Sequence, residues 1–180
     1  MITGIILYIQ VVKTYNSVLN SVICNIQESG NGVNAMKMVI QRVLNANVVV
    51  DGEEISSIKQ GFLVFLGVAK GDTQAHADKL VKKMTGLRIF SDEEGKINLA
   101  LKDVQGEVLI VSQFTLYADT KKGYRPSFID AAAPEDAEAL YEYVIEQTKK
   151  EIPNVQTGKF GASMKISLTN DGPFTIILES

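Results

Sequence analysis

The regular alternation of apolar and polar positions begins near residue 36 and predicts β-strands. VIQRVLNANVVV (39–50) alternates in polarity and is rich in β-branched residues, which indicates a strand. Asp51-Gly52 separates it from EEISSI (53–58), and this arrangement is typical of a β-hairpin. GFLVFLGVA (61–69) is apolar throughout, so we expect a strand that is buried on both faces.

Two segments show helical periodicity. Gly71-Asp72-Thr73 ends the apolar run and supplies an N-cap for a helix predicted over residues 73–88. A second helix is predicted from Ala133 to about Glu151, because Pro134 and two acidic residues occupy its first turn. The apolar residues of the first helix recur at helical intervals: Ala77, Leu80, Val81, Met84 and Leu87.

The remaining apolar runs predict further strands. EVLIVSQFTLYA (107–118) is expected to form one more buried strand, and shorter strands are expected near 155–158, 163–169 and 174–178. Between the last two, Asn170-Asp171-Gly172-Pro173 has the composition of a hairpin turn. Runs of strands with two inserted helices predict an α+β domain. We expect a curved, barrel-like, mostly antiparallel sheet with two principal helices packed outside it.

The first 35 residues differ from the rest of the chain. ITGIILYIQVV (2–12) is apolar but too short to span a bilayer, which needs roughly 20 apolar residues. It also lacks the basic residues that precede the apolar part of a secretory signal. We therefore expect an N-terminal extension over residues 1–35 and one domain over residues 36–180. A membrane anchor within the extension is the alternative interpretation.

Composition limits the chemistry that is open to this chain. Its single cysteine, Cys24, excludes an intramolecular disulfide and suits a reducing compartment such as the cytoplasm. A Ser-His-Asp or Cys-His triad would have to recruit the single histidine, His76, which lies in the first predicted helix. No cluster of cysteine and histidine offers metal ligands. We expect neither a metal nor an organic cofactor.

Charge limits the partners. The formal net charge is -3, so no global positive field attracts nucleic acid or membrane. A polyanion would need a local basic patch, for which Arg42, Lys82-Lys83 and Lys121-Lys122 with Arg125 are candidates. The alternative for each is a solvated basic side chain. In the loop KKGYRPSF (121–128) the basic residues flank an aromatic one, which suits contact with a phosphate backbone and a base.

Polar residues interrupt the strand predicted over 107–118. Burying Ser112, Gln113 or Thr115 without a partner would cost about 1–3 kcal/mol each. Strand alternation would place Gln113 and Thr115 on one side, next to each other. These residues therefore indicate a site, unless the alternation simply points them to solvent. Phe160 is open to two interpretations, stacking on a base or filling the core.

Five fragments occur in this order along the chain: MVIQRVLNANVVVDGE, SQFTLYAD, KKGYRPSF, TGKFGASM and NDGPFT. Taken together, they resemble one known family, the D-aminoacyl-tRNA deacylases or D-Tyr-tRNA deacylases. The resemblance covers about residues 36–180 and none of the extension. Phe174 stands where the family usually has a smaller residue, and Tyr124 where a smaller or more polar residue is common.

The resemblance implies an enzyme that hydrolyses the ester between a D-amino acid and the 3′-terminal adenosine of tRNA, and leaves open whether glycine is removed too. It implies a homodimer with a barrel-like fold. In that dimer Gly172-Pro173, joined by a cis peptide bond, would reach into the partner's active site. Backbone carbonyls there would hold the α-amino group and exclude an L side chain.

The resemblance also implies an active site at Ser112, Gln113, Phe114 and Thr115. Thr115 is either a nucleophile or a positioning group, with the substrate's 2′-hydroxyl and a water doing the chemistry. The lack of an evident base beside Thr115 favours the second. We expect Gln113 and Thr115 to position the substrate and the backbone amides around Gln113–Phe114 to bind the oxyanion.

The resemblance also suggests which residues bind the substrate. Phe160 would lie near the terminal adenosine, Arg42, Lys122 and Arg125 near phosphate, and Thr175 beside the Gly-Pro dipeptide. A non-catalytic tRNA- or nucleotide-binding module of the same fold is the main alternative, and it would not need the polar strand. A small-molecule esterase is a third hypothesis, which the missing histidine triad disfavours.

Overall fold

The structure, a computed structural model of the chain, describes residues 35–180. The predicted extension over residues 1–35 therefore lies outside the described residues, apart from Ala35, and so does the alternative of a membrane anchor. A short 3₁₀ turn lies at Phe114–Tyr117. The strands and helices are β1 (Lys37–Val50), β2 (Glu53–Ile58), β3 (Gly61–Gly67), α1 (Gln74–Thr85), β4 (Phe90–Ser91), β5 (Ile97–Leu99), β6 (Glu107–Ser112), α2 (Pro134–Glu151), β7 (Val155–Thr157) and β8 (Lys165–Glu179).

Strand β1 organises a mixed, barrel-like sheet of six strands. One edge of β1 pairs with β8, and the other edge pairs first with β3 and then, after Val43, with β2. All three pairings are antiparallel, and the one between β1 and β2 is the hairpin that Asp51-Gly52 indicated. Beyond β3, β6 pairs in parallel with β3, and β7 pairs in parallel with β6. Each of these strands follows a connection that contains a helix, which returns the chain to the same end of the sheet. The α+β prediction is confirmed. It did not specify which part of the sheet is parallel.

Both faces of the sheet are covered, which explains the apolar strand β3. Phe62, Val64 and Leu66 contribute to a core that includes apolar side chains of α1 and α2. Leu63, between them, belongs to a second core with Val111 and residues of β1 and β2. Alternate side chains of β3 thus enter different cores. The predicted burial on both faces is confirmed.

The two helices begin where the sequence predicts. Thr73 is the N-cap of α1, and it forms a reciprocal capping box with His76. Helix α1 ends at Thr85, earlier than residue 88, because Gly86 takes the C-cap position. Helix α2 begins at Pro134 and ends at Glu151, as expected. Within residues 35–180, no helix is long and apolar enough to cross a membrane.

The prediction of a strand over residues 107–118 is wrong for its second half. β6 ends at Ser112, and the chain then forms the 3₁₀ turn, with the Leu116 N–H donating to the Gln113 carbonyl at 3.3 Å. Tertiary contacts override the local β-propensity. The Tyr117 hydroxyl donates to the Gly67 carbonyl at 3.0 Å, which folds the turn back over the end of β3. A Cβ at Gly67 would lie 2.9 Å from the Tyr117 ring, so glycine permits this approach.

The hairpin turn predicted at residues 170–173 is also wrong. Residues on both sides of it pair with the same strand, β1, so β8 continues in one direction. Asn170 pairs with Val43 and Thr175 with Gln41, which leaves residues 171–174 opposite Arg42 alone. We call residues 171–174 the bulge. The turn-forming composition therefore serves to lift Gly172-Pro173 out of a continuous ladder.

Candidate active site

A cavity of about 400 Å³ lies at the edge of the sheet where two parallel strands end. Leu66 of β3 and Ser112 of β6 are register partners at this edge. Pockets commonly form beyond the carboxyl ends of parallel strands, and this volume suits a small organic group. The lining is mostly apolar, with Ser112 and Gln113 as its polar members. Its larger apolar side chains are Leu66, Phe114, Phe128, Tyr141 and Phe160.

Gln113 and Thr115 meet at the edge of this cavity. The Gln113 Nε2 donates to the Thr115 Oγ1 at 2.5 Å, and both side chains are partly buried. The sequence placed them together by strand alternation, but they lie in and beside the 3₁₀ turn. Their proximity is therefore confirmed, although the reason given for it was wrong.

The partner of Thr115 is unsuited to activating a nucleophile. A side-chain amide does not take a proton at neutral pH, so Gln113 can orient the hydroxyl without deprotonating it. The histidine is engaged at the start of α1, where its Nδ1 lies 3.1 Å from Asp72 Oδ1 and accepts the Thr73 N–H at 3.3 Å. Among the hydrogen bonds of the described residues, none links Thr115 to a base.

The backbone around Gln113 offers fewer free donors than expected. The Gln113 N–H donates to the Leu66 carbonyl at 2.7 Å and completes the β3–β6 ladder. Gln113 is therefore excluded as an oxyanion donor, which corrects the sequence-based expectation. Phe114 and Thr115 begin the 3₁₀ turn, where N–H groups lack acceptors from a preceding turn. These two amides are the remaining candidates.

Aromatic rings form the opposite side of the cavity. The Tyr141 hydroxyl donates to the Ile110 carbonyl at 2.9 Å, and burial raises its pKa, so the side chain remains neutral. Its ring centroid lies 5.7 Å from that of Phe160. Phe160 packs against the core, as one of its two interpretations required, and also lines the cavity, while stacking on a base stays a prediction.

The bulge is held by a second group of side chains, which sequence analysis named only in part. The Asn170 Oδ1 accepts the Phe174 N–H at 2.7 Å, and its Nδ2 donates to the Phe174 carbonyl at 3.3 Å. Between them, the Gly172-Pro173 peptide bond is cis. Gly172 has a φ of +148°, a value that side chains rarely tolerate. The role of Asn170 was missed, although it stands in the fragment NDGPFT.

Arg42, on the neighbouring strand β1, holds the bulge in place. Its Nε donates to the Asp171 carbonyl at 2.9 Å and lies 3.1 Å from the Asp171 carboxylate. Its Nη1 donates to the Ile89 carbonyl, and its guanidinium stacks on Phe174, 4.9 Å from the ring centroid. Arg42 is only 8% exposed. Nε, Nη1 and the planar face of the guanidinium are thus engaged within the fold, which argues against the expectation that Arg42 meets phosphate.

The predicted site residues form separate groups within one chain. The cavity brings together Ser112, Gln113, Phe114 and Phe160, with Thr115 bonded to Gln113. Gly172 and Pro173 are exposed and do not line it. Thr175 is half-buried in β8, and Lys122 and Arg125 lie on an exposed loop. Within residues 35–180, no group of three or more histidine, cysteine or acidic side chains is arranged to hold a metal.

Comparison with known sequences gives one consistent result. Residues 39–179 match the family model described as D-Tyr-tRNA(Tyr) deacylase. The chain is 55% identical over 146 residues to the D-aminoacyl-tRNA deacylase of Thermosipho melanesiensis, covering 81% of this chain and 97% of that protein. It is 57% identical over 145 residues to that of Dehalococcoides mccartyi, covering 81% and 95%.

Solved structures share the fold. A chain titled c-Myc DNA Unwinding Element Binding Protein superposes with a TM-score of 0.76 at 45% identity, covering 80% of this chain and 98% of that one. A probable eukaryotic D-amino acid tRNA deacylase superposes with a TM-score of 0.71, covering 81% and 100%. At 17% identity, the second likeness concerns the fold alone.

Proposed function

Because the chain belongs to the D-Tyr-tRNA(Tyr) deacylase family, we propose that it hydrolyses the ester between a D-amino acid and the 3′-terminal adenosine of tRNA. The supporting observation is the 2.5 Å contact between Gln113 and Thr115 beside an apolar cavity, with no base at hand. Residues 36–180 carry the activity. The protein acts in the cytoplasm, where its tRNA substrates are and where a lone thiol stays reduced.

The cavity receives the terminal adenosine. Its volume of about 400 Å³ and its aromatic lining suit a flat heterocycle. Phe160 presents its ring beside Tyr141 and provides a stacking surface. The ester then lies near Ser112 and the 3₁₀ turn, since these form the polar edge of the same cavity.

Hydrolysis requires only a water and well-placed dipoles. The water oxygen bonds to the ester carbonyl carbon, the bond from that carbon to the ribose oxygen breaks, and the leaving oxygen takes a proton. The products are the free D-amino acid and tRNA with its terminal hydroxyl restored. The substrate's own 2′-hydroxyl orients the water, while the amides of Phe114 and Thr115 stabilise the oxyanion. Gln113 and Thr115 hold the ester in place.

Chirality is selected by the bulge of a second subunit. Gly172 and Pro173 are exposed and absent from their own chain's cavity, so they are free to enter that of a homodimeric partner. Leu44, on β1 close to the bulge, is 50% exposed and offers apolar surface to such a partner. Backbone carbonyls of the bulge hold the α-amino group of a D-residue and leave no room for an L side chain.

The alternative functions lack comparable support. A non-catalytic module would not need the oriented pair of Gln113 and Thr115. A small-molecule esterase would need a nucleophile with a base, whereas the only side-chain hydrogen bond of Thr115 within residues 35–180 is to the Gln113 amide.

The test is hydrolysis of D-Tyr-tRNA and L-Tyr-tRNA by the purified protein. We expect turnover of the D-ester and none of the L-ester above the spontaneous rate. Equal rates on both esters, or tight binding of both without turnover, would refute the proposal.

A further inference from the structure

A short loop beside the cavity has no role in the fold or in the reaction described above. We call residues 120–126 the tip loop. Its base is closed by two reciprocal backbone hydrogen bonds, from the Asp119 N–H to the Ser127 carbonyl at 2.8 Å and from the Ser127 N–H to the Asp119 carbonyl at 2.9 Å. The Asp119 carboxylate also accepts the Lys121 N–H at 2.9 Å. The loop is therefore anchored in its conformation at the base.

The tip loop presents an aromatic ring and positive charge to solvent. Tyr124 is 106% exposed, so its ring contributes no burial to the fold. Lys121, Lys122 and Arg125 are exposed as well, and none of these three cations forms an ion pair with the residues that the structure describes. The loop therefore concentrates three cations within five positions of a chain whose net charge is -3.

The tip loop stands at the rim of the cavity. Phe128, just after the base of the loop, lines the cavity and contacts the Phe114 ring edge-on, with the centroids 5.0 Å apart. Tyr124 precedes Phe128 by four positions, so their Cα atoms are within about 14 Å even in a fully extended chain. A strand of RNA that ends in the cavity would pass within reach of Tyr124.

We infer that the tip loop binds the unpaired nucleotides immediately before the terminal adenosine of the tRNA. Tyr124 stacks on one of these bases, and Lys122 and Arg125 contact the phosphates beside it. Stacking on an exposed aromatic ring tolerates any base, and nearby cations neutralise the backbone. This inference rests on the proposed function and adds to it a site for RNA outside the cavity.

Two substrates separate this role from support of the cavity. D-Tyr-tRNA carries the upstream nucleotides, whereas D-tyrosyl-adenosine carries only the group that enters the cavity. For Tyr124→Ala we expect KM on D-Tyr-tRNA to rise about tenfold with kcat unchanged. Hydrolysis of D-tyrosyl-adenosine should stay at the wild-type rate. Tyr124→Phe keeps the ring and should restore the wild-type KM.

The cations are tested through the salt dependence of KM. Lys122→Gln with Arg125→Gln should reduce the slope of log KM against log salt by about 1.4, the value for two phosphate contacts on a single strand. Lys149→Gln with Lys150→Gln removes the same charge at the far end of α2, about 22 Å along the helix from Pro134 at the cavity. This control should behave as wild type.

The outcomes are distinct. An unchanged KM in Tyr124→Ala, or an equal loss on both substrates, would overturn the inference and leave the deacylase proposal intact. An equal change of slope in the α2 control would also overturn it, because the effect would then be one of net charge. Failure of the wild-type protein to hydrolyse either substrate would refute the proposed function, and the inference with it.

Discussion

The Nε of Arg42 donates to the carbonyl oxygen of Asp171 at 2.9 Å, where the register between β1 and β8 shifts between Gln41 and Val43. This contact fixes the start of the bulge, and the stacking of the guanidinium on Phe174 fixes its end. The bulge, which protrudes from the sheet, is thus held by the planar guanidinium of Arg42 and its N–H donors.

Replacing Arg42 with lysine should loosen the bulge without removing the charge. An ammonium cannot reach both the Asp171 and Ile89 carbonyls while stacking on Phe174. We expect Arg42→Lys to lose about 1–3 kcal/mol of unfolding free energy, because a partly buried acceptor loses its donor. D-Tyr-tRNA turnover should fall at least about tenfold. Denaturant unfolding and steady-state kinetics measure the two effects.

Arg88 provides the matched control for that substitution. It donates to the Asn98 carbonyl at 2.6 Å but is exposed, and its hydrogen bonds go to Asn98 and not to the bulge. Arg88→Lys should cost less than about 1 kcal/mol and leave turnover unchanged. Equal effects of the two substitutions would contradict the role assigned to Arg42.

We expect the Thr115 hydroxyl to position the substrate and not to attack it. Thr115→Val keeps the shape and removes the acceptor for Gln113 Nε2. Because only positioning is lost, kcat should fall about 10- to 100-fold, and Thr115→Ser should restore most of it. A fall to the uncatalysed rate in Thr115→Val, or a covalent D-aminoacyl ester trapped on Thr115, would identify a nucleophile instead.

Two subunits with complementary defects should restore D-selective hydrolysis when combined. Gln113→Ala damages the cavity edge, and Gly172→Ala damages the bulge that serves the partner in the proposed homodimer. In a mixed dimer one site receives a normal cavity and a normal bulge. Random association of equal amounts should therefore recover about a quarter of wild-type sites. Recovery requires a shared site, so additive residual activity after co-expression would contradict the cross-subunit arrangement.

Asp72 should make stability depend on pH. Burial raises the pKa of its carboxyl above 3.8, opposed in part by the Ala69 N–H, which donates at 2.6 Å, and by His76. The fold thus favours the protonated acid. Its stabilising contribution is complete below pH 3.8 and is lost as pH rises through the folded-state pKa, so the carboxylate is a cost at neutral pH.

Asp72→Asn removes this ionisation and keeps an oxygen acceptor for Ala69. We expect the Tm of the variant relative to wild type to be higher at pH 7 than at pH 4. Thermal unfolding followed by circular dichroism at both values measures the difference. The opposite order would mean that the ion pair with His76 outweighs the desolvation of Asp72.

Local sequence signals predicted the elements and the polar residues of the cavity but not the bulge. Asp51-Gly52 and Pro134 act within their own turns, so the hairpin and the second helix followed from composition. Gly172-Pro173 carries the same local signal as a hairpin, and only pairing with β1 shows that the chain continues. The hydrogen bond of the Gln113 backbone N–H likewise depends on the carbonyl of Leu66, a residue distant in sequence.

Selection by backbone shape is tested most directly with Gly172→Ala. A Cβ at Gly172 would lie 2.7 Å from the Phe174 nitrogen, and the φ of +148° disfavours any side chain, so the bulge must change shape. Gly95→Ala, at a φ of +77° in open space on the β4–β5 turn, is the matched control. The measurement is the ratio of D-Tyr-tRNA to L-Tyr-tRNA hydrolysis rates. We predict at least a tenfold smaller ratio for Gly172→Ala than for wild type or the control, because a small displacement of a group that positions the substrate commonly costs at least this much in rate. An unchanged ratio in a folded Gly172→Ala protein would contradict the account.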